Sequence, residues 1–140
     1  MEQKRILVAV DGSRFSDKVM EKAIEYAKLL EAEVVFVYCH RKYPRLLKQP
    51  YRDHLITEIN DEATETVKPY LDQLEDAGIP IVERLLETPA GAAIAETAES
   101  EKCDLIIMGS RGLSNLQGLI IGSTTNRVLH LATCPVLVVT

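Results

Sequence analysis

Aromatic side chains are scarce: the 140 residues include no tryptophan, two phenylalanines and five tyrosines. A core drawn from Val, Ile, Leu and Ala favours α/β layers over a small, aromatic-rich barrel. No apolar run approaches the roughly 18 residues that cross a bilayer, which excludes a transmembrane helix and gives no reason to expect a membrane partner. Cysteine is limited to Cys39, Cys103 and Cys134, an odd number without short metal-ligand spacing. An intracellular, reduced protein, placed in the cytoplasm, is the simplest account. A basic excess is also missing. The formal charge of −5 disfavours nucleic-acid binding driven by bulk charge, because phosphate contacts need a basic surface. The local cluster of His40, Arg41, Lys42, Arg45 and Lys48 is broken by Tyr43, Pro44, Leu46 and Leu47, and reads as a solvated connection. Neither a Walker A loop nor the Rossmann glycine fingerprint is present, so nicotinamide and flavin chemistry are not indicated. No Ser-His-Asp, Cys-His or paired-carboxylate set can be assembled.

What is present is ordinary in bulk and specific in one place. Apolar content of 46% with 26% charged residues is that of a globular chain, and the length fits a single domain over 1–140. The opening MEQKRILVAVD places basic residues before an apolar run that Asp11 cuts short, which predicts a first strand over Arg5 to Val10 rather than a signal peptide. Asp11-Gly12-Ser13 follows as a turn, with Ser13 or Ser16 as caps for a helix whose apolar positions run from Val19 to Leu30. Glu33 to Cys39 predicts a second strand. A long loop from His40 to about Asp53 leads to a helix over about His54 to Ala77, with Pro69 as a candidate kink and Gly78 as its stop. Ile79 to Leu86 predicts a third strand. Thr88-Pro89-Ala90 opens a third helix, in which Gly91 costs a little stability. Asp104 to Met108, Gly122 to Leu131 and Val136 to Val139 complete strand four, helix four and strand five. Strands alternating with helices imply parallel pairing through right-handed crossovers.

The specific place is the last third of the chain. The run Leu105 to Met108 ends at Gly109; Gly112 follows, and Gly122 leads into Ser123, Thr124 and a helical pattern. Strand, glycine corner and helix start together present bare backbone N–H groups to an anion. Glycines at 109 and 112 permit close approach of phosphate oxygens, and the hydroxyls of Ser123 and Thr124 add donors. In an open α/β sheet the ligand lies beyond the carboxyl ends of the strands, where Asp11 also falls. Asp11 fits three roles: turn cap, acceptor for a ribose hydroxyl, or holder of a divalent ion between protein and phosphates. Ser13 and Ser16 fit as helix caps, with metal-shell hydroxyl or phosphate donor as the alternatives. Arg111 fits as a phosphate clamp or a solvated cation. Asn115 and Gln117 are amide candidates without a fixed direction. His130 and the cysteines at 103 and 134 read as structural.

The pattern Gly-x2-Gly-x9-Gly-Ser at Gly109, Gly112, Gly122 and Ser123, with Asp11-Gly12-Ser13 after strand one and the closing Cys-Pro-Val-Leu-Val-Val, resembles the ATP-binding branch of the universal stress protein family. The resemblance spans Lys4 to Val139. It implies a five-stranded parallel sheet in the order 3-2-1-4-5 with two helices on each face. It also implies phosphates held by Gly109, Gly112, Gly122, Ser123 and Thr124, with Asp11 near the ribose or a bound Mg2+ or Mn2+. Adenine would meet backbone at Val37 to Cys39, with Met108 nearby. The same resemblance implies a homodimer through Val136 to Val139. The functional expectation is a nucleotide-dependent regulatory protein that binds ATP, is at most a weak ATPase, and has an unidentified protein partner. Its rivals are a dimeric module carrying AMP, ADP or another adenine nucleotide as sensed or structural ligand, and a nucleotidyl or phosphoryl transfer enzyme.

Overall fold

A computed structural model describes residues 3–111 and 121–140. Its elements run β1 (Arg5–Val10), α1 (Ser16–Leu30), β2 (Glu33–His40), α2 (Tyr51–Asp76), β3 (Ile81–Glu87), α3 (Ala90–Ser100), β4 (Leu105–Gly109), α4 (Ser123–Leu131) and β5 (Val136–Val139). The strands form one sheet in the order β3-β2-β1-β4-β5, and every neighbouring pair is parallel. The chain is thus the doubly wound α/β protein its alternation implies.

The central strands are continuous apolar runs because both faces are covered. Side-chain direction alternates along each strand. Ile6, Val8 and Val10 of β1, with Val34 and Phe36 of β2, pack under α1 and α2. Leu7 and Ala9, with Val35, Val37 and Ile106, pack under α3 and α4. Ile6, Leu7 and Val8 are fully buried, which makes β1 the axis of the molecule.

Several boundaries move for identifiable reasons. Helix α2 starts at Tyr51 rather than His54, because Gln49 and Asp53 bond reciprocally: Asp53 N donates to Gln49 Oε1 (3.0 Å) and Gln49 Nε2 to Asp53 Oδ1 (2.8 Å). The helix continues through Pro69 to Asp76. Gly78 then takes φ 73°, a left-handed conformation that suits glycine at a helix end. Strand β3 starts two residues later than Ile79, since Ile79 N still closes the turn by donating to Leu74 O (3.0 Å). His40 is not the start of a solvated connection. It is the last residue of β2, buried, with Nδ1 2.8 Å from Arg41 O and its ring 4.7 Å from that of Tyr43.

Capping of α1 is a further correction. Neither serine closes its first turn; the N-cap position is Phe15, without a side-chain cap. Both serines instead face Asp11, whose Oδ1 accepts from Ser13 N (2.9 Å) and Ser16 Oγ (3.2 Å). No described helix is long and apolar enough to cross a membrane.

Candidate nucleotide site

β1 has β2 on one side and β4 on the other, so its crossover and that of β4 leave in opposite directions. The crevice this opens beyond their carboxyl ends is where open α/β sheets bind ligands. A cavity of about 300 Å³ lies there. Three carboxyl-terminal strand ends reach it: Asp11 after β1, Cys39 in β2, and Met108 and Gly109 in β4. Ser13, Val37, Arg111, Gly122, Ser123 and Thr124 line it as well. Gly112, with Asn115 and Gln117, lies outside the described residues.

The cavity's lining is of two chemical kinds. Val37, fully buried, and Met108, at 4% exposure, give apolar walls, joined by Ile94 from α3. Cys39 lines the cavity as well. Burial pushes its thiol up to about 11, so it stays a neutral thiol at physiological pH rather than a nucleophile. The second kind of lining is hydrogen-bond donors. Helix α4 begins at Ser123 with no side-chain cap, and its first intrahelical bond runs from Asn126 N to Gly122 O (3.0 Å). The N–H groups of Ser123, Thr124 and Thr125 are therefore left for an outside acceptor.

The N–H of Gly122 is a different case. It donates to Ser110 O at 2.6 Å, so it does not point outward as the sequence pattern suggests. Thr125 Oγ1 donates to Gly109 O (2.6 Å) and Ser110 N to Val139 O (2.9 Å). These bonds fasten the end of β4 to α4 and β5, giving the open N–H groups a fixed aim. Arg111 is exposed, and its guanidinium carbon lies 5.3 Å from the centre of the Phe15 ring, which Arg14 also approaches at 5.1 Å. Cation–π contact holds that charge at the cavity's rim.

One polar atom stands out. Ser13 Oγ is buried and has no hydrogen-bond partner, yet Ser13 lines the cavity. A buried hydroxyl without a partner is costly. Occupancy of the cavity by a ligand with a polar group beside Ser13 relieves that cost.

Sequence reasoning missed Phe15, Thr88, Ala90 and Ile94 as lining residues. Thr88 and Ala90 flank a proline at the end of β3, and that strand's carboxyl edge was the available signal. Phe15 carried none, since an aromatic residue near a helix start usually packs inward. Among the described residues no group of three His, Cys, Asp or Glu could hold a metal ion, and Asp11 is the sole carboxylate lining the cavity.

Comparison with known proteins agrees with this architecture. The universal stress protein family profile matches residues 2–140, and the chain belongs to that family. The universal stress protein MJ0531 of Methanocaldococcus jannaschii is 36% identical over 138 residues, covering 97% of this chain and 81% of its own length. The solved structure of the hypothetical protein MJ0577 superposes with a TM-score of 0.88 at 27% identity, covering 99% of this chain and 96% of that one. A universal stress protein in complex with cAMP has a TM-score of 0.74 at 22% identity, covering 98% and 97%. One from Archaeoglobus fulgidus in complex with dAMP has 0.64 at 22%, covering 100% of each. These last two share the fold with this chain.

Proposed function

We propose that this protein binds an adenine nucleotide, ATP in the preferred reading, and acts as a nucleotide-dependent regulatory switch in the stress response of the cytoplasm. The observation that carries the reading is a cavity lined by both apolar walls and open donors. Apolar walls at Val37, Ile94 and Met108 suit a purine, and the open N–H groups of α4 with Arg111 suit a phosphate chain. Asp11 and the unsatisfied Ser13 hydroxyl line the same cavity and match the ribose with an acceptor and a donor. The cAMP and dAMP complexes of relatives with this fold support an adenine nucleotide as the class of ligand.

A divalent cation, Mg2+ or Mn2+, fits only as part of a bound polyphosphate. Asp11 offers one carboxylate, and such ions complete their shell with waters and phosphate oxygens. The cation would neutralise phosphate charge beside that carboxylate. Turnover would be slow, since the described lining supplies no histidine or second carboxylate to orient an attacking water.

Calorimetric titration with AMP, ADP and ATP, each with and without Mg2+, tests the reading. Saturable binding of at least one is expected, and silence from all would end it. Ser13→Ala adds a directional check. Removing an unsatisfied buried hydroxyl should leave the ligand-free protein as stable or about 1 kcal/mol more stable, while the lost ligand contact weakens nucleotide binding about threefold to tenfold. Unchanged affinity would remove Ser13 from the ligand's contacts.

The last strand is proposed as a dimer contact. β5 stands at the sheet edge beside β4, and its four residues Val136–Val139 are half-buried and apolar. Antiparallel pairing with a second copy would cover that edge. Leu137→Lys should shift the mass measured by light scattering from dimer to monomer while circular dichroism still reports a folded chain. A folded variant that stays dimeric would place the interface elsewhere.

A further inference from the structure

The connection between β2 and α2, with the first turn of α2, concentrates the molecule's positive charge. Residues 41–52 carry Arg41, Lys42, Arg45, Lys48 and Arg52 and no acidic residue, in a chain of formal charge −5. Arg41 approaches Glu62 at 3.8 Å. The other four make no ion pair with any described residue, so their charge faces solvent unopposed. The same stretch exposes apolar surface: Leu46 is 98% exposed, Tyr51 67% and Leu47 41%.

The segment is anchored at its base. Tyr43 N donates to Glu87 Oε2 (3.2 Å), Tyr43 Oη to Asn60 Oδ1 (2.6 Å), and Gln49 and Asp53 bond reciprocally at the start of α2. Leu46 and Leu47 therefore lie on a short projection tied at both ends. A single exposed leucine needs no explanation. Two leucines and a tyrosine set among four unpaired cations are a combination with a definite chemical complement.

We propose that residues 41–52 are a peripheral docking element for an anionic phospholipid surface, with Lys42, Arg45, Lys48 and Arg52 at the headgroups and Leu46 and Leu47 entering the acyl boundary. Charge complementarity selects the anionic headgroup layer, since these cations lack protein partners. The leucines select a lipid over a nucleic acid: RNA would use the cations and stack on Tyr51, but leaves fully exposed leucines in water. Stable attachment to a membrane surface needs two signals, and apolar insertion plus a polybasic patch supplies both. The absence of a spanning run, which argued against a membrane partner, has no bearing on such a contact.

Co-sedimentation of the full chain with vesicles provides the test. Binding is expected to phosphatidylglycerol-containing vesicles and not to pure phosphatidylcholine, with the bound fraction falling as salt rises. Each basic residue replaced, as in Arg45→Gln and Lys48→Gln, should lower the partition coefficient about fivefold. Leu46→Ser should lower it about tenfold while thermal stability is unchanged, because that side chain touches almost nothing in the fold. Equal behaviour on neutral and anionic vesicles would overturn the proposal, as would anionic-vesicle binding that Leu46→Ser leaves intact. Retention of a single-stranded RNA with no vesicle binding would assign the patch to nucleic acid instead.

Discussion

Replacing Gly122 by valine is expected to weaken adenine-nucleotide binding about tenfold to hundredfold while changing stability by less than about 1 kcal/mol. The separation between those effects follows from the backbone. Gly122 has φ −72° and ψ 164°, an extended conformation open to any residue. A Cβ added there would lie 3.4 Å from Ser110 O and 3.8 Å from Arg111 Cα, ordinary contact distances. The folded chain alone therefore makes no demand for glycine at this position. Gly122 does line the cavity at the opening of α4, so the branched methyls of valine would occupy space beside the donors proposed for phosphate. Overpacking of that kind costs about 1–3 kcal/mol, which sets the expected loss of affinity. Gly109 is a contrasting control. Its added Cβ would lie 3.1 Å from Arg111 O, a backbone atom, so substitution there should destabilise the ligand-free fold as well. Calorimetry and thermal melting of the two variants separate the cases. If Gly122→Val binds nucleotide as the parent does, the phosphates are not held at this corner.

That contrast shows what kind of information the sequence carries. The strands were legible because burial on both faces makes them continuous apolar runs, and Arg5–Val10 coincides with its expected span. The glycine corner was legible because its spacing follows a strand and precedes a helix. The division of labour within it was not. Whether a glycine serves its own turn, as Gly109 does, or leaves room beside it, as Gly122 does, depends on Ser110 and Arg111 in three dimensions. Ser13 and Ser16 met the compositional rule for helix caps, but the Asp11 carboxylate captured Ser13 N and Ser16 Oγ. Asp11 also stands just before them in sequence, so two local motifs competed for the same residues and composition could not rank them. Burial of His40 was hidden by its basic neighbours, whose charge describes the chain after β2 rather than β2 itself. Phe15 reaches the cavity from the turn before α1, Thr88 from the connection after β3 and Ile94 from α3. No local period records such convergence.

Gly91 carries the second large effect, and there two physical terms oppose each other. Alanine is favoured over glycine by up to about 1 kcal/mol in a helix, less in the first turn where Gly91 stands, so propensity alone makes Gly91→Ala modestly stabilising. Packing says otherwise. A Cβ at Gly91 would lie 2.6 Å from both Cβ and Cγ of Arg127, and 3.4 Å from Thr124 O. The Arg127 Cβ is fixed to the α4 backbone and cannot swing aside as a side-chain tip could. Helices α3 and α4 would have to separate, at an overpacking cost of about 1–3 kcal/mol. The net expectation is a loss of about 1–2 kcal/mol, read as a lower denaturant midpoint. Ala90 on α3 and Ser123 and Thr124 on α4 line the cavity, so the same displacement should weaken nucleotide binding. A double-mutant cycle isolates the contact. In an Arg127→Gly background, where the opposing Cβ and Cγ are gone, Gly91→Ala should revert to the stabilising sign that propensity assigns it. Strictly additive effects would mean that the two residues do not press on each other. Glycine at 91 would then reflect something other than the close approach of α3 to α4.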